Sequence, residues 1–201
     1  MLTFNGRSKN STVIDAKTGN VAGTIDLGGK PEFSVADGKG KVYVNIEDTN
    51  EVVEIDAAKA TATKRYSIKP CDGLFGLAID VKNRWLFSVC SNRIMIVSDP
   101  DSGKVVASPA IGASSDGVAF DLGTGYAISF NGDGTLTIVQ QNGGKYEVVE
   151  NIATEKGART IAVDEKTHYV YLPVAKAAPP QPGQRGTTYI PDSFRVLVVG
   201  K

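Results

Sequence analysis

The sequence predicts an all-β fold of the β-propeller class, built from four-stranded antiparallel blades. The first observation behind this prediction is a repeat. A short apolar run closed by an aspartate recurs at spacings of 43, 41 and 43 residues, at Asp37, Asp80, Asp121 and Asp164. A period of roughly 40 to 45 residues that holds four short strands is typical of a propeller blade.

The second and third observations concern the apolar runs and the turns between them. Each run is about 5 or 6 residues long, which is the length of a strand rather than a helix, and is rich in β-branched and aromatic residues. Segments such as Asp37-Gly38-Lys39-Gly40 and Asn131-Gly132-Asp133-Gly134 separate the runs. Gly, Asn and Asp tolerate the positive φ of tight hairpins. Because one four-stranded sheet cannot bury both of its faces, the sheets must stack on one another.

The repeat divides the chain into blades, whose strands we label A to D from the central channel to the rim. The sequence predicts one propeller domain over residues 1–201, with partial blades at 1–27 and 159–201, full blades at 32–68, 75–111 and 116–152, and a Pro-rich insert at 175–193. The result is a partial propeller of about four and a half blades, either an open arc or a closed five-blade ring. Each end lacks one strand, so we expect self-association through the exposed blade edges.

Composition excludes several classes of function. The 22 basic and 22 acidic residues cancel, which makes nucleic acid an unlikely partner, and no apolar run is long enough to span a bilayer. The single histidine, His168, excludes histidine-rich copper or haem sites and a Ser-His-Asp triad. The sequence predicts no resident metal and no cofactor.

The stretch STVIDAKTGNVAGTIDLGGKPEFSVADGKGKVYV, from Ser11 to Val44, resembles the YVTN repeat of bacterial YncE-like β-propellers. The ending YLPVAKAAPPQPGQRGTTYIPDSFRVLVVGK resembles the C-terminus of such proteins. This resemblance implies the C-terminal portion of a seven-bladed propeller and a periplasmic location. About two blades, the ring-closing strand and a signal peptide of that pattern are absent from this sequence.

The candidate site lies at the mouth of the channel, where the D–A and B–C loops meet. Aligning the repeats on the closing aspartates makes four A-strand residues equivalent: Glu32, Phe75, Asp116 and Arg159. The ends of the B strands add Asn45, Asn92 and Asn131, and a D–A loop adds Asp72. Loops on a rigid scaffold are where binding residues concentrate. The competing interpretation is that a wet channel mouth collects polar residues without binding anything.

These residues predict a non-catalytic binding scaffold whose ligand, an unknown protein or a small molecule, occupies the channel-mouth loops. The alternative is a metal-dependent hydrolase similar to the gluconolactonase-like propeller enzymes. Its Ca²⁺ would be bound by the oxygen ligands of Glu32, Asp72, Asp116 and Asn131.

Other residues receive structural interpretations. Cys71 and Cys90 lie close enough for a disulfide if the D–A loop curls back, but we expect two reduced, partly buried thiols. Lys64 and Arg65 are expected on a solvated rim, His168 in a surface turn, and Trp85 in the packing between blades. The segment 178–182 favours polyproline II geometry, as a partner-docking segment or a tolerated surface loop.

Overall fold

The computed structural model describes residues 1–158, 160–179 and 186–200. Within them the chain forms 18 strands, in five antiparallel sheets of three, four, four, four and three strands, and no helix. Sheet I contains β1 (Leu2–Asn5), β2 (Asn10–Ile14) and β3 (Val21–Asp26). Sheet II contains β4 (Pro31–Ala36), β5 (Lys41–Ile46), β6 (Glu51–Asp56) and β7 (Thr61–Ser67). Sheet III contains β8 (Leu74–Asp80), β9 (Trp85–Cys90), β10 (Met95–Ser98) and β11 (Val105–Ala107).

Sheet IV contains β12 (Ser115–Asp121), β13 (Tyr126–Asn131), β14 (Thr135–Asn142) and β15 (Lys145–Ala153). Sheet V contains β16 (Ala162–Val163), β17 (Val170–Val174) and β18 (Arg195–Val199). In every sheet the strands pair in sequence order, as a meander. The all-β prediction is therefore confirmed. The first strand of the partial blade predicted at 159–201 is β16, which begins at Ala162, and Arg159 lies outside the described residues.

The core lies between the sheets. Four clusters of buried apolar side chains join sheet I to II, II to III, III to IV, and IV to V. Alternation along a strand makes this arrangement work, because successive side chains point to opposite faces. On β9, for example, Leu86 packs towards sheet II and Phe87 towards sheet IV.

The inner strands follow one another around a common axis. Strand β8 packs against β4 on one side and β12 on the other, and β12 packs against β16. Among the described residues, close packing joins successive sheets, and sheet I is not packed on sheet V. Over the described residues the sheets therefore form an open arc rather than a closed ring. The outer edge of sheet V is β18, where Val196 and Val198 are 47% and 55% exposed.

The closing aspartates of the repeat build the A–B turns. In each turn one carboxylate oxygen accepts a hydrogen bond from the backbone N–H two residues further on, at Asp37, Asp80, Asp121 and Asp164. A residue three or four positions after the aspartate then has a left-handed backbone, at Gly40, Arg84, Gly125 and His168. The recurring aspartate is therefore a turn-forming residue.

The two cysteines form a disulfide, so the prediction of reduced thiols is wrong. Cys71 and Cys90 are bonded, with Cα atoms 5.6 Å apart. The physical reason is a bulge in β8, which pairs Cys90 with Leu74, three residues from Cys71. The D–A loop also turns back, because the N–H of Cys71 donates to the carbonyl of Ile68 at 3.2 Å. Both cysteines are almost fully buried in the cluster between sheets II and III.

Candidate functional site at the channel mouth

A cavity of about 680 Å³ opens at the end of the arc where the D–A connections and B–C turns meet. We call it the mouth cavity. It is shared by sheets III, IV and V and by the Pro-rich insert, and its lining includes Phe75, Ser91, Ser115, Asp116, Lys156 and Tyr189. The lining thus combines two aromatic rings, hydroxyl groups and one charge of each sign.

Bulges in the inner strands aim the candidate A-strand residues at this region. The regular pairing of β4, β8 and β12 is interrupted between Pro31 and Ser34, between Leu74 and Leu77, and between Ser115 and Gly117. Glu32, Phe75 and Asp116 are residues of these bulges. Bulges often occur beside functional sites, where the extra residue redirects a side chain.

Three of the four equivalent residues come together. Glu32, Phe75 and Asp116 line a second cavity of about 220 Å³, formed by the first residues of the inner strands. Phe75 and Asp116 line the mouth cavity as well, so the two cavities share a wall. The fourth equivalent residue, Arg159, lies outside the described residues.

Glu32 is neutralised by a neighbouring lysine. Lys30 Nζ lies 2.6 Å from Glu32 Oε1 and also contacts Glu47. Hydrogen bonds to the carboxylates of Glu32 and Glu47 raise the pKa of Lys30, and the same lysine lowers the pKa of Glu47. The ammonium group therefore stays charged and is shared between the carboxylates of Glu32 and Glu47.

Asn45 and Asn131, two members of the predicted ligand-binding set, are completely buried. Asn45 Nδ2 donates to the carbonyls of Phe75 and Gly76 at 2.8 and 3.0 Å, which joins sheet II to the bulge of β8. Asn131 Nδ2 donates to Thr135 Oγ1 and Thr137 Oγ1, both at 3.0 Å. Buried amides must be hydrogen-bonded inside the protein, so these two groups hold the scaffold.

Asp72 and Asn92 lie in loops at the mouth end but line neither cavity. Asn92 braces the D–A loop: its Oδ1 accepts from the N–H of Asp72 at 3.2 Å and its Nδ2 donates to the carbonyl of Pro70 at 2.9 Å. Ser91 completes the brace by donating from Oγ to the carbonyl of Asp72 at 2.6 Å. Asn92 thus stabilises the D–A loop in the structure.

The sequence patterns did not identify several residues that line the mouth cavity. Ser91, Ser114 and Lys156 lie in turns or loops outside the repeat pattern, and Tyr189 lies in the insert. The insert returns to the mouth as a short ladder, in which the N–H of Ala178 donates to Thr188 O at 2.8 Å. Most of the polyproline II segment proposed for 178–182 lies outside the described residues.

Comparisons with known proteins identify the fold. No family profile matches the sequence, and no curated protein matches it. Among solved structures, hydrazine synthase from Kuenenia stuttgartiensis, which contains a β-propeller, superposes with a TM-score of 0.70 at 18% sequence identity over 98% of this chain. The chain is a partial β-propeller.

The likeness to hydrazine synthase extends no further than the fold. The chain spans 58% of the length of that protein, and an identity of 18% shows shared architecture alone. Because 1330 solved chains match this propeller, its function must be argued from its own residues.

In this propeller His168 lies far from the mouth cavity in the fold. It occupies the A–B turn of sheet V, at the opposite end of the sheets, and its Nδ1 lies 2.8 Å from Asp121 Oδ2. The described residues also contain no group of three or more His, Cys, Asp or Glu side chains arranged to hold a metal ion. The described lining of the mouth cavity includes aromatic rings, hydroxyl groups, one carboxylate and one ammonium group.

Lys64 and Arg65 lie on β7, the outer strand of sheet II, where Arg65 is exposed and Lys64 half-buried, as expected for a rim. Lys64 Nζ donates to the carbonyl of Pro100 at 2.9 Å, and Arg65 pairs with Glu51 at 2.6 Å and also contacts the carbonyl of Leu27. Both side chains thus tie sheet II to its neighbours. Trp85 packs edge-on against Tyr146 between sheets III and IV, as expected, with ring centroids 6.0 Å apart.

Proposed function

We propose that this propeller is a non-catalytic binding module of the YncE-like type, and that its ligand or partner occupies the mouth cavity. The observation that carries the proposal is the composition of that cavity. Phe75 and Tyr189 offer apolar ring surface, Ser91 and Ser114 offer hydroxyls, and Asp116 and Lys156 both line the same space. Its volume of about 680 Å³ is in the range of pockets that bind small molecules or peptide segments.

The disulfide supports a periplasmic location for this module. Disulfides persist in oxidising compartments and are rare in the cytosol of mesophiles. Cys71–Cys90 lies under the D–A loop that carries Asp72, so it also holds one rim of the binding end. No helix able to cross a membrane occurs in the part of the chain that the structure describes.

Fragment binding to the original protein and to the Tyr189→Ala variant tests the proposed site. A fragment library is titrated into isotope-labelled protein, and perturbed amides are mapped by NMR. We expect binders to perturb Ser91, Ser114 and Gly157, and Tyr189→Ala to weaken them about tenfold, as truncation of an interfacial tyrosine commonly does. Tyr169→Ala is the matched control, because Tyr169 is an exposed tyrosine at the opposite end of sheet V. Fragments that cluster elsewhere, or that bind Tyr189→Ala unchanged, would contradict the proposal.

A thermal scan with added Ca²⁺ distinguishes this proposal from the alternative of a metal-dependent hydrolase. Glu32 is paired with Lys30, the side chain of Asn131 is buried, and Asp72 lines neither cavity. We therefore expect millimolar Ca²⁺ to leave the melting temperature unchanged in a thermal scan. A ligand that binds only the native state raises that temperature, so a saturable increase with Ca²⁺ would favour the hydrolase.

A further inference from the structure

A second site is indicated by a position that recurs in the A–B turns, at the end of the propeller opposite the mouth. In two turns, the left-handed residue before strand B reaches back to the closing aspartate of the preceding sheet. Arg84 Nη1 lies 3.5 Å from Asp37 Oδ2, which joins sheet III to II. His168 Nδ1 lies 2.8 Å from Asp121 Oδ2, which joins sheet V to IV.

Between sheets III and IV the equivalent residue is Gly125, which has no side chain to reach Asp80. A Cβ added at Gly125 would meet no atom within 4 Å. A cavity of about 270 Å³ lies there instead, and Asp80, Phe120, Gly125, Gln140 and Tyr146 line it. We call this cavity the III–IV slot.

Asp80 can accept a further hydrogen bond in the slot. The residue is only 2% exposed. Its carboxylate accepts from the N–H groups of Lys82 and Asn83 at 2.9 and 3.0 Å, and from Asn83 Nδ2 at 2.7 Å. A carboxylate has about four acceptor positions. Asp121 has the same kind of turn bonds, from Gly123 N at 3.0 Å and Thr124 Oγ1 at 2.8 Å, and still pairs with His168.

Aromatic rings form the other wall of the slot. Phe120 stacks on Phe87 with centroids 5.1 Å apart, and Tyr146 meets Phe87 edge-on at 5.6 Å. Burial and the charge of Asp80 raise the pKa of Tyr146 to about 12, so its ring remains neutral. A carboxylate facing aromatic surface is an arrangement that attracts organic cations. Lys82 is an exposed residue at the rim of the same slot.

We propose that the III–IV slot binds a guanidinium group, as an arginine side chain of a partner or as a small free molecule, in the place that Arg84 occupies between sheets II and III. A guanidinium donates two parallel hydrogen bonds to a carboxylate and stacks on aromatic rings. Arg84 is the internal precedent: its guanidinium lies 3.5 Å from Asp37 and donates to Tyr43 Oη at 3.1 Å. It also donates two further hydrogen bonds to Asp101, both at 2.7 Å. This site is separate from the mouth cavity and does not depend on the proposed function.

The test uses the fluorescence of Trp85, the only tryptophan in the chain, which packs edge-on against Tyr146. The probes are methylguanidinium and N-acetyl-arginine methylamide, with the neutral citrulline derivative as control. We expect saturable binding of the two cations. The citrulline derivative should bind more weakly by about tenfold or more, because its ureido group keeps N–H donors but lacks the positive charge that strengthens hydrogen bonds to a carboxylate. Tighter binding of the arginine derivative than of methylguanidinium would identify an arginine side chain as the natural occupant.

Two variants and one control make the test decisive. Gly125→Arg should fill the slot and abolish binding. An arginine is tolerated in that conformation, because Arg84 has φ 59° and Gly125 has φ 72°. Asp80→Asn should weaken binding about tenfold or more. Asp164→Asn, which changes the equivalent turn of sheet V, should bind as the original protein does. Equal binding of the citrulline derivative, or unchanged binding by Gly125→Arg, would overturn the proposal.

Discussion

Replacing Phe87 by alanine is expected to lower the free energy of unfolding by about 3–5 kcal/mol, the usual cost of deleting a buried aromatic ring. Phe87 is fully buried at the centre of the cluster between sheets III and IV. It stacks on Phe120 with ring planes 10° apart and meets Tyr146 edge-on. Because each sheet is stabilised mainly by its neighbours, loss of this ring weakens the joint between the two halves of the arc. Urea unfolding followed by circular dichroism measures the change.

Phe194→Ala is the matched control, because it removes the same kind of ring from the protein surface. Phe194 is 68% exposed, just before β18, so its truncation should change the free energy of unfolding by less than about 0.5 kcal/mol. Equal effects of the two substitutions would contradict the packing between sheets III and IV.

Removing the disulfide is expected to cost about 3 kcal/mol. Cys71 and Cys90 are 19 residues apart in sequence, and closing a loop of that order restricts the unfolded chain by roughly this amount. The Cys71→Ala/Cys90→Ala double variant should therefore unfold at lower urea concentration, with a melting temperature lower by roughly 6–12 °C.

Reducing agent supplies the control for the disulfide. Dithiothreitol should destabilise the original protein and leave the double variant unchanged, and a thiol assay of the unfolded original protein should detect no free thiol before reduction. Two titratable thiols in that assay, or equal sensitivity of both proteins to dithiothreitol, would show that the bond does not form.

The fold could be predicted from sequence because its determinants are local and repeated. Turns such as the one at Asp80 are built by the aspartate and the residues next to it, and one such turn occurs in each of sheets II to V. Period-two alternation then places Leu86 and Phe87 on opposite faces of sheet III, which requires a neighbouring sheet on each side. Both the aspartate turn and the alternation can be recognised from a few neighbouring residues.

The site was only partly predictable because its details depend on bulges and on contacts between sheets. Glu32, Phe75 and Asp116 were found by alignment of the repeats, and the structure brings them together. The alignment placed Asn45 at the mouth end of sheet II, where the structure has it. Its hydrogen bonds to the carbonyls of Phe75 and Gly76 could not be predicted, because these carbonyls belong to the bulge of the next sheet. Tyr189 lies in an insert without periodicity, so no pattern pointed to it.

The stacking of inner strands around one axis is the claim on which the mouth cavity and the III–IV slot both depend. At Gly76 an added Cβ would lie 2.9 Å from the carbonyl oxygen of Asp116 and 3.0 Å from Val118 N, so the backbones of β8 and β12 touch there. The direct measurement is a nuclear Overhauser experiment on isotope-labelled protein. We predict cross-peaks from the Gly76 Hα protons to the Gly117 Hα protons and the Val118 amide. Two sheets pressed face to face lie about 10 Å apart, so absence of these cross-peaks in well-resolved spectra would contradict the propeller arrangement.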